Sequence, residues 1–332
     1  MSLMSLKTLG LPSNPTFIGD MLDDMTGAYS SLMGGPFSQA APAAAAKSPF
    51  TAIYSFGDSL SDVGNIYSLT LHTVPAAPYV NGHFTNGAVW VQDLAAQLGL
   101  PAPQPSVFGG TDFANGGGET GVESLHAQNP SDLPSQLAQF ANSRPALTPS
   151  ALYTLSIGGN DVLDAIAAYS ANPAGAAADI TQAVANETAF ISILAAAGAR
   201  NFAVLNVPDI GKTPLETAQG LRATQVASYL SASYDAQLGA SLSGLAAADH
   251  LNLHLVDVYS LLDKGVANPS AFGLTNVTQP VWTGNYYNPG SGTLNATGAA
   301  QNGYLFFDSI HPTATGHSQI AAAANASLLP MA

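Results

Sequence analysis

Short apolar runs alternate with longer stretches of helical periodicity along most of this chain. Four runs have the length expected of strands: 52–56, 152–157, 202–207 and 251–258. The first two are apolar enough to be buried on both faces, and the last alternates between apolar and polar residues. Apolar residues recur at helical spacing in four longer segments: 88–98, 180–197, 224–245 and 320–328. Strands and helices that alternate in this way favour right-handed crossover units and a mostly parallel α/β sheet.

Two segments do not follow this alternation. Residues 1–49 mix Gly, Pro, Ser and Met and end in an Ala-rich stretch, which predicts a low-order N-terminal tail or linker before a single domain over 50–332. Residues 268–302 are rich in Asn, Gly, Thr and aromatic side chains. A loop of this length in a compact domain is usually functional or disordered, so it is interpreted either as a flap over a pocket or as a surface insertion.

The composition excludes several classes of function. Only 8% of the residues are charged, and seven Lys and Arg stand against 21 Asp and Glu, so nucleic acid and anionic membrane surfaces are not expected partners. The absence of cysteine excludes thiolate nucleophiles and cysteine-ligated metals. His250 and His254 could share one face of a strand, but no third ligand is near in sequence, and we expect no metal or organic cofactor.

The chain carries no sequence signal for a membrane. No stretch approaches the roughly 20 consecutive apolar residues that span a bilayer, so no stable membrane insertion is expected. The N-terminus lacks a basic region followed by an apolar run, and no signal peptide is recognised. A surface rich in Asn and Ser with little Lys nevertheless suits an exported protein, so a secreted or cell-surface location is predicted.

Candidate chemistry lies in the turns that follow predicted strands, because ligands of an open α/β sheet bind at the carboxyl ends of its strands. Ser59 follows the first strand in the sequence Phe-Gly-Asp-Ser-Leu. A serine at a strand-to-helix turn exposes its hydroxyl and directs its own N–H to the same place, as a nucleophile with an oxyanion donor requires. An ordinary helix N-cap serine remains the alternative interpretation.

Three further turns supply groups that complement a serine nucleophile. The glycines at 116–118 let the backbone approach a ligand and present N–H groups to an anion. Asn160 offers a carboxamide after the second strand, although an Asx-turn is the simpler interpretation in isolation. Asp308 precedes His311 by three residues, which lets the carboxylate orient one ring nitrogen and leaves the other as a general base.

Nearby polar residues are predicted to have supporting roles. Asp58, Asp62 and Asn65 lie beside Ser59 and are expected to fix its turn through hydrogen bonds rather than to touch substrate. His317 is a competing candidate for the base, but the spacing of Asp308 favours His311.

Taken together and in this order, these segments resemble the SGNH or GDSL hydrolase family. Gly57-Asp58-Ser59-Leu60 is similar to its nucleophile block, Gly117 to its glycine block, Gly158-Gly159-Asn160-Asp161 to its asparagine block and Asp308 to His311 to its Asp-x-x-His block. The resemblance covers the chain from about residue 53 to about residue 326. It looks closest to the branch of plant GDSL lipases and bacterial lecithinase-like or haemolysin-like phospholipases.

The resemblance implies a flavodoxin-like three-layer α/β/α sandwich, the SGNH hydrolase fold. It implies Ser59 as nucleophile, His311 as base and Asp308 as its orienting partner. The N–H groups of Ser59 and Gly117 and the side chain of Asn160 would form the oxyanion hole, with all three glycines at 116–118 as candidates. Many relatives carry cysteines before the Asp-x-x-His block and this chain has none, so its segment 268–302 is expected to be braced differently.

Three functions follow from this resemblance. The first is a serine esterase or lipase that hydrolyses carboxylic esters of lipids, phospholipids or acetylated sugars through an acyl-enzyme. The second is an acyltransferase, in which an alcohol instead of water takes the acyl group. The third is a non-catalytic carbohydrate-binding module that stacks sugars on Trp282, Tyr286 and Tyr287. The oligomeric state is not determined by the sequence.

Overall fold

The computed structural model describes residues 48–121, 131–143, 147–286, 288 and 290–328. Of the predicted tail, only Ser48 and Pro49 are among these residues. The strands are β1 Ile53–Gly57, β2 Leu152–Ser156, β3 Asn201–Leu205 and β4 Asn252–Val256. The α-helices are α1 Asn65–Leu69, α2 Trp90–Gln97, α3 Leu133–Ser143, α4 Gly159–Tyr169, α5 Pro173–Ala196, α6 Pro214–Thr217, α7 Leu221–Asp249, α8 Val258–Ala267 and α9 Ala314–Leu328.

The four strands form a parallel sheet in the order β1-β2-β3-β4. Gly57 pairs with Ser156, and Ser156 pairs with Leu205, so the carboxyl ends of β1, β2 and β3 lie at one level. The segment 111–115 pairs with the other edge of β1, where Phe113 N–H donates to Ser55 O and Asn115 N–H donates to Gly57 O. Counting this segment, the chain order across the sheet is 2-1-3-4-5, the flavodoxin-like order.

Helices cover both faces of this sheet, which confirms the predicted α/β/α architecture. Side chains alternate between faces along the strands, as Tyr153 and Leu155 pack on one side and Leu152 on the other. The first face packs against α3, α4, α5 and α7. The second face packs against α2, α8 and α9.

The main differences from the sequence prediction are at helix starts. Helix α5 begins at Pro173, seven residues before the predicted start, because Asn172 caps it by accepting a hydrogen bond from Gly175 N–H and a proline occupies its first position. Its first two turns are almost all Ala and Gly and therefore show no amphipathic period. Helices α3, α4 and α8, of 10 or 11 residues, were not predicted, although each is amphipathic.

The proposed pairing of His250 with His254 on one strand face is wrong. His250 ends helix α7 in the left-handed conformation, with φ 51°, while His254 lies in β4. Within the residues that the structure describes, no three His, Asp or Glu side chains are grouped so that they could hold a metal ion. The described helices also include none that is long and apolar enough to cross a membrane.

The segment 268–302 contains two 3-10 helices, Pro269–Phe272 and Gly298–Gly303. It is tied to the chain just before His311, because Val281 N–H donates to Phe306 O and Trp282 N–H donates to Phe307 O. Trp282 is 3% exposed and packs edge-on against Tyr79, with 5.3 Å between ring centroids. A buried ring cannot stack a sugar, so the suggested binding role of Trp282 is wrong; Tyr287 lies outside the described residues.

Glu187 of helix α5 carries a carboxyl group that is buried in the core on the first face of the sheet. It is fully buried, and its Oε2 accepts a hydrogen bond of 2.6 Å from the Tyr234 hydroxyl. Burial raises the pKa of Glu187 to about 8, and this effect outweighs the hydrogen bond from Tyr234. The folded protein therefore binds a proton here that the unfolded chain has already released at neutral pH.

We expect this proton to make the free energy of unfolding decrease as pH rises. A raised folded-state pKa gives stability that is complete below the unfolded value and is lost as pH passes from about 4.5 towards about 8. Glu187→Gln stays neutral, so its free energy of unfolding, measured by urea denaturation, should rise relative to wild type by about 1 kcal/mol per pH unit between pH 5 and 8. Parallel pH curves for the two proteins would contradict a protonated Glu187.

Candidate active site

Ser59 lies in a tight turn that begins where β1 ends. Gly57 has φ +135°, and a Cβ there would lie 2.0 Å from Ser156 O, so only glycine fits this position. Gln136, which is fully buried, holds the same residue: its Oε1 accepts from Gly57 N–H at 2.9 Å and its Nε2 donates to Gly57 O at 2.7 Å. These contacts fix the end of β1 from which Ser59 projects.

Two carboxylates shape the turn around Ser59. Asp58 Oδ1 accepts from Leu60 N–H at 2.9 Å, and burial raises the pKa of Asp58 to about 7. Asp62 accepts from the N–H groups of Gly64 at 2.8 Å, Asn65 at 2.6 Å and Ile66 at 3.2 Å. These bonds agree with the supporting roles predicted for Asp58 and Asp62.

Asp62 and Asn65 also connect the serine turn to the glycine turn. Asp62 Oδ2 accepts from Gly116 N–H at 2.8 Å. Asn65 Nδ2 donates to Asp112 O and to Ala114 O, both at 2.9 Å. Residues that are about fifty positions apart in the chain are therefore held as one unit at the edge of the sheet.

His311 joins Ser59 to Asp308 in a continuous hydrogen-bonded chain. His311 Nε2 lies 2.8 Å from Ser59 Oγ, and His311 Nδ1 lies 2.6 Å from Asp308 Oδ2. Because an ionised carboxylate only accepts, Nδ1 donates to Asp308 and Nε2 is left to accept from the serine hydroxyl. This is the geometry of a nucleophile, its base and an orienting carboxylate.

Asp308 is held by its own turn as well as by the imidazole. Its Oδ1 accepts from the N–H groups of Ile310 at 2.8 Å and His311 at 2.7 Å. Burial by itself raises the pKa of Asp308, but the charge on His311 and the hydrogen bonds to the carboxylate outweigh it and hold the pKa below its usual value. Asp308 is therefore a buried, ionised acceptor.

The structure distinguishes among the three glycines of the run 116–118. Gly116 N–H donates to Asp62, and Gly118 N–H donates to Asn115 O at 3.0 Å. Gly117 N–H has no hydrogen-bond acceptor among the described residues, and its φ is +77° with open space where a Cβ would stand. Gly117 is therefore the residue of the run whose N–H is available to an anion.

Two more donors are available at the same edge of the sheet. In the described part of the chain, Ser59 N–H has no acceptor either. Asn160 lies in the first turn of helix α4, rather than in the loop that an Asx-turn would need, and its Nδ2 donates to Gly118 O at 2.8 Å. A carboxamide nitrogen carries two hydrogens, so Asn160 retains one for a ligand.

The competing base, His317, is not placed for catalysis. It lies inside helix α9, 1% exposed, and its Nδ1 accepts from Trp90 N–H at 3.3 Å. Burial lowers the pKa of His317 to about 3. The neutral ring therefore caps the start of helix α2.

Sequence reasoning missed Tyr79, whose hydroxyl donates to Asp308 Oδ2 at 2.5 Å. The ring is 7% exposed and packs against Phe84, Trp282 and Phe307. Burial, together with the Asp308 carboxylate, raises the pKa of Tyr79 far above its usual value, so the phenol keeps its proton. Tyr79 stands 229 positions before Asp308, and no local pattern in the sequence indicates their contact.

An apolar cavity opens beside Ser59. Ser59, Asn160 and His311 line one part of it. The rest of its wall is predominantly apolar: Leu60, Ile157, Leu163, Val207, Pro208, Ile210, Val258, Leu261, Leu262, Phe272, Leu274, Leu305, Phe306, Ile310, Pro312 and Ile320. A pocket of this kind, with a few convergent polar groups, is typical of a site for a small apolar ligand.

Comparison with known proteins identifies the class. The family model for GDSL-like lipases and acylhydrolases matches residues 53–324, so the chain belongs to this family of carboxylic ester hydrolases. The resemblance found in the four sequence blocks is confirmed.

Individual relatives span the chain to different extents. A phosphatidylcholine-sterol acyltransferase of Aeromonas hydrophila is 29% identical over 253 residues, which cover 74% of this chain and 69% of that protein. The esterase EstA of Pseudomonas aeruginosa is 31% identical over 320 residues, 83% of this chain but 46% of that protein. An extracellular lipase from Streptomyces rimosus has a TM-score of 0.42 and 19% identity, over 83% of this chain and 99% of that one.

We expect Tyr79→Phe to change the pH dependence of ester turnover as well as its rate. Without the hydrogen bond from the phenol, the Asp308 carboxylate interacts more strongly with His311 and stabilises the protonated imidazole. The acidic limb of the kcat/KM profile should therefore move to higher pH by about 0.5 to 1 unit. The measurement is the pH profile between pH 4 and 9.

Tyr153→Phe is the matched control for this change. Tyr153 is 1% exposed, and its hydroxyl is buried without a hydrogen-bond partner in the described structure, in the core below the sheet. The Tyr153→Phe variant should show the acidic limb of its kcat/KM profile at the same pH as wild type. A Tyr79→Phe profile that falls in rate without any shift along the pH axis would assign Tyr79 a packing role only.

Proposed function

We propose that this protein is a serine esterase or lipase that cleaves carboxylic esters through an acyl-enzyme on Ser59. The observation that carries the proposal is the unbroken chain from Ser59 Oγ through His311 to Asp308, at the wall of an apolar cavity. A nucleophile needs an adjacent base to remove its proton, and a lipid-derived acyl group needs an apolar site.

In the proposed acylation step, His311 Nε2 removes the proton of Ser59 as Oγ attacks the ester carbonyl. The carbonyl oxygen becomes an oxyanion that accepts hydrogen bonds from Ser59 N–H, Gly117 N–H and Asn160 Nδ2. The intermediate collapses when His311 gives its proton to the departing alcohol, which leaves the acyl group on Ser59. Asp308 stabilises the imidazolium throughout and keeps its charge.

In the proposed deacylation step, water takes the place of the departed alcohol. His311 removes a proton from the water as its oxygen attacks the acyl carbonyl, and the same three donors donate hydrogen bonds to the second oxyanion. Return of the proton to Ser59 Oγ releases the carboxylic acid and restores the starting state. The step needs no group beyond water and the residues named.

A second outcome of the same acyl-enzyme is transfer to an alcohol. The observation that favours it is the aromatic cover of the base: Phe84 is 3% exposed and its ring centroid lies 5.2 Å from that of His311, and the Tyr286 ring lies 6.1 Å away. Tyr286 belongs to the segment 268–302, which we propose acts as a flap. Such cover limits access of water. The ratio of new ester to free acid in the presence of an added alcohol measures the partition.

We further propose that the enzyme acts outside the cell or at its surface. A charged fraction of 8% gives a surface built largely from uncharged polar and small residues, which suits contact with lipid esters. The test is to separate cells from medium and to detect the protein in each fraction with an antibody.

The direct test compares wild type with Ser59→Ala on p-nitrophenyl esters from acetate to palmitate. Loss of the nucleophile should lower kcat by several orders of magnitude, on the scale of 10⁶ measured for serine hydrolase nucleophiles, while the protein stays folded. The chain-length optimum of wild type separates an acetyl-esterase from a lipase. Equal turnover by the two proteins would overturn the proposal.

We expect Asn160→Ala to lower kcat by about 10² to 10³, with a much smaller change in KM, because one oxyanion donor is typically worth roughly 3 to 4 kcal/mol. Asn201→Ala is the control, since the Asn201 carboxamide also donates to backbone oxygens, at 2.6 and 3.1 Å, but at the opposite end of β3. It should lower Tm and leave kcat unchanged. An Asn160→Ala enzyme with the wild-type kcat would remove Asn160 from the oxyanion hole.

A further inference from the structure

The apolar cavity lies where three separate apolar clusters approach one another without merging. Its wall includes Val207 and Ile210 from the core on the first face of the sheet and Val258 and Ile320 from the core on the second face. Leu305 belongs to a third cluster, formed with Leu274 and Phe306. Protein interiors are close-packed, and an unfilled apolar void forfeits both contacts and stability. A void maintained between clusters beside a serine hydroxyl is therefore a site for an apolar ligand.

One face of helix α8 forms a straight wall of this cavity. The lining residues are Val258, Leu261, Leu262 and Gly265, which stand at positions i, i+3, i+4 and i+7 of the helix. At 1.5 Å per residue this stripe runs about 10 Å along the helix axis. This wall is therefore long enough to contact several successive methylene groups of an acyl chain.

The stripe ends in a glycine with unusual surroundings. Gly265 is buried, yet a Cβ built on it would meet no heavy atom within 4 Å. A buried position with open space in the direction of its side chain faces a void, and Gly265 is one of the residues that line the cavity. Glycine in a helix interior costs about 1 kcal/mol relative to alanine, so its presence calls for a reason other than helix stability.

Two polar side chains in this part of the wall, Asn206 and Thr213, are hydrogen-bonded within the protein. Asn206 Oδ1 accepts from the N–H groups of Val258 at 2.7 Å and Tyr259 at 3.2 Å, and its Nδ2 donates to Asp257 at 3.1 Å. The Thr213 hydroxyl donates to Ile210 O at 2.7 Å. One N–H of Asn206 and the side chain of Gln319 remain as polar groups along this part of the wall. Because its other side chains are mainly apolar, the wall away from Ser59 is suited to methylene groups.

We propose that the face Val258, Leu261, Leu262 and Gly265 of helix α8 binds the acyl chain of the substrate and that Gly265 sets the chain length the enzyme accepts. This inference rests on the proposed acyl-enzyme at Ser59. The absent side chain at position 265 leaves room for the distal carbons of a long chain. A larger residue there fills that room and leaves the carbonyl site around Ser59 untouched.

The test is a substitution series at this position, Gly265→Ala, Gly265→Val and Gly265→Leu, assayed on p-nitrophenyl acetate, butyrate and palmitate. The ratio of kcat/KM for palmitate to that for butyrate should fall stepwise with side-chain volume, by tenfold or more for Gly265→Leu. Turnover of acetate should stay within twofold of wild type. Gly244→Leu is the matched control, because Gly244 lies in helix α7, is exposed and also has open space at its Cβ.

Two results would overturn the proposal in distinguishable ways. No turnover of any ester by wild type removes the proposed function itself. Turnover of all esters with the same chain-length ratio in wild type and in every Gly265 variant leaves the esterase intact but removes Gly265 as the length determinant. If Gly265→Leu does not fold, the Ala and Val steps still decide, and so does calorimetric binding of palmitate to Ser59→Ala with and without Gly265→Val, which should weaken tenfold or more.

Discussion

The candidate site depends on the hydrogen bonds that the Asp62 carboxylate accepts from four backbone N–H groups. Three of them belong to the start of helix α1 and one to Gly116, so a single side chain holds the serine turn against the glycine turn. Each turn carries an N–H without an acceptor in the described structure, at Ser59 and at Gly117. If the hydrogen bond between Asp62 and Gly116 were lost, the N–H groups of Ser59 and Gly117 would no longer be held at a fixed distance from each other. An oxyanion hole depends on such fixed geometry.

This dependence on N–H groups follows from the composition. A chain with seven Lys and Arg cannot pair each buried carboxylate with a cation. Asp62 and Asp308 are bonded to backbone N–H groups instead, and Asp308 also to His311 and Tyr79. Burial raises the pKa of Asp62 to about 6, whereas the pKa of Asp308 is held below its usual value. The difference lies in the charge of His311, so the orienting carboxylate is the one that stays ionised when the pH falls.

The sequence was sufficient to predict the sheet and the residues that meet at its edge, because both depend on local signals. Buried strands read as apolar runs, and chemistry in a parallel sheet follows the strand ends, so Ser59 and Asn160 could be found without a structure. His311 follows none of the four strands, and its three-residue spacing from Asp308 was the signal that indicated it. Tyr79 and Gln136 could not, since each acts on a residue 229 or 79 positions away and has no pattern of its own. The choice of Gly117 within its run also needed hydrogen bonds, because three identical residues differ only in what their N–H groups already bind.

Ser59 has apolar side chains on one side and aromatic rings on the other, and this difference bears on how the acyl group is bound and then transferred. Helices α8 and α9 provide apolar side chains on one side, whereas Phe84 and Tyr286 pack near the ring of His311. In the proposed mechanism, the apolar side holds the acyl chain in place after the first alcohol leaves. Under the proposed function, the aromatic rings near His311 bear on which nucleophile takes the acyl group, while helix α8 bears on which acyl group is bound. The two properties are carried by different parts of the chain, 258–265 on one side and 84 and 286 on the other, and can change independently.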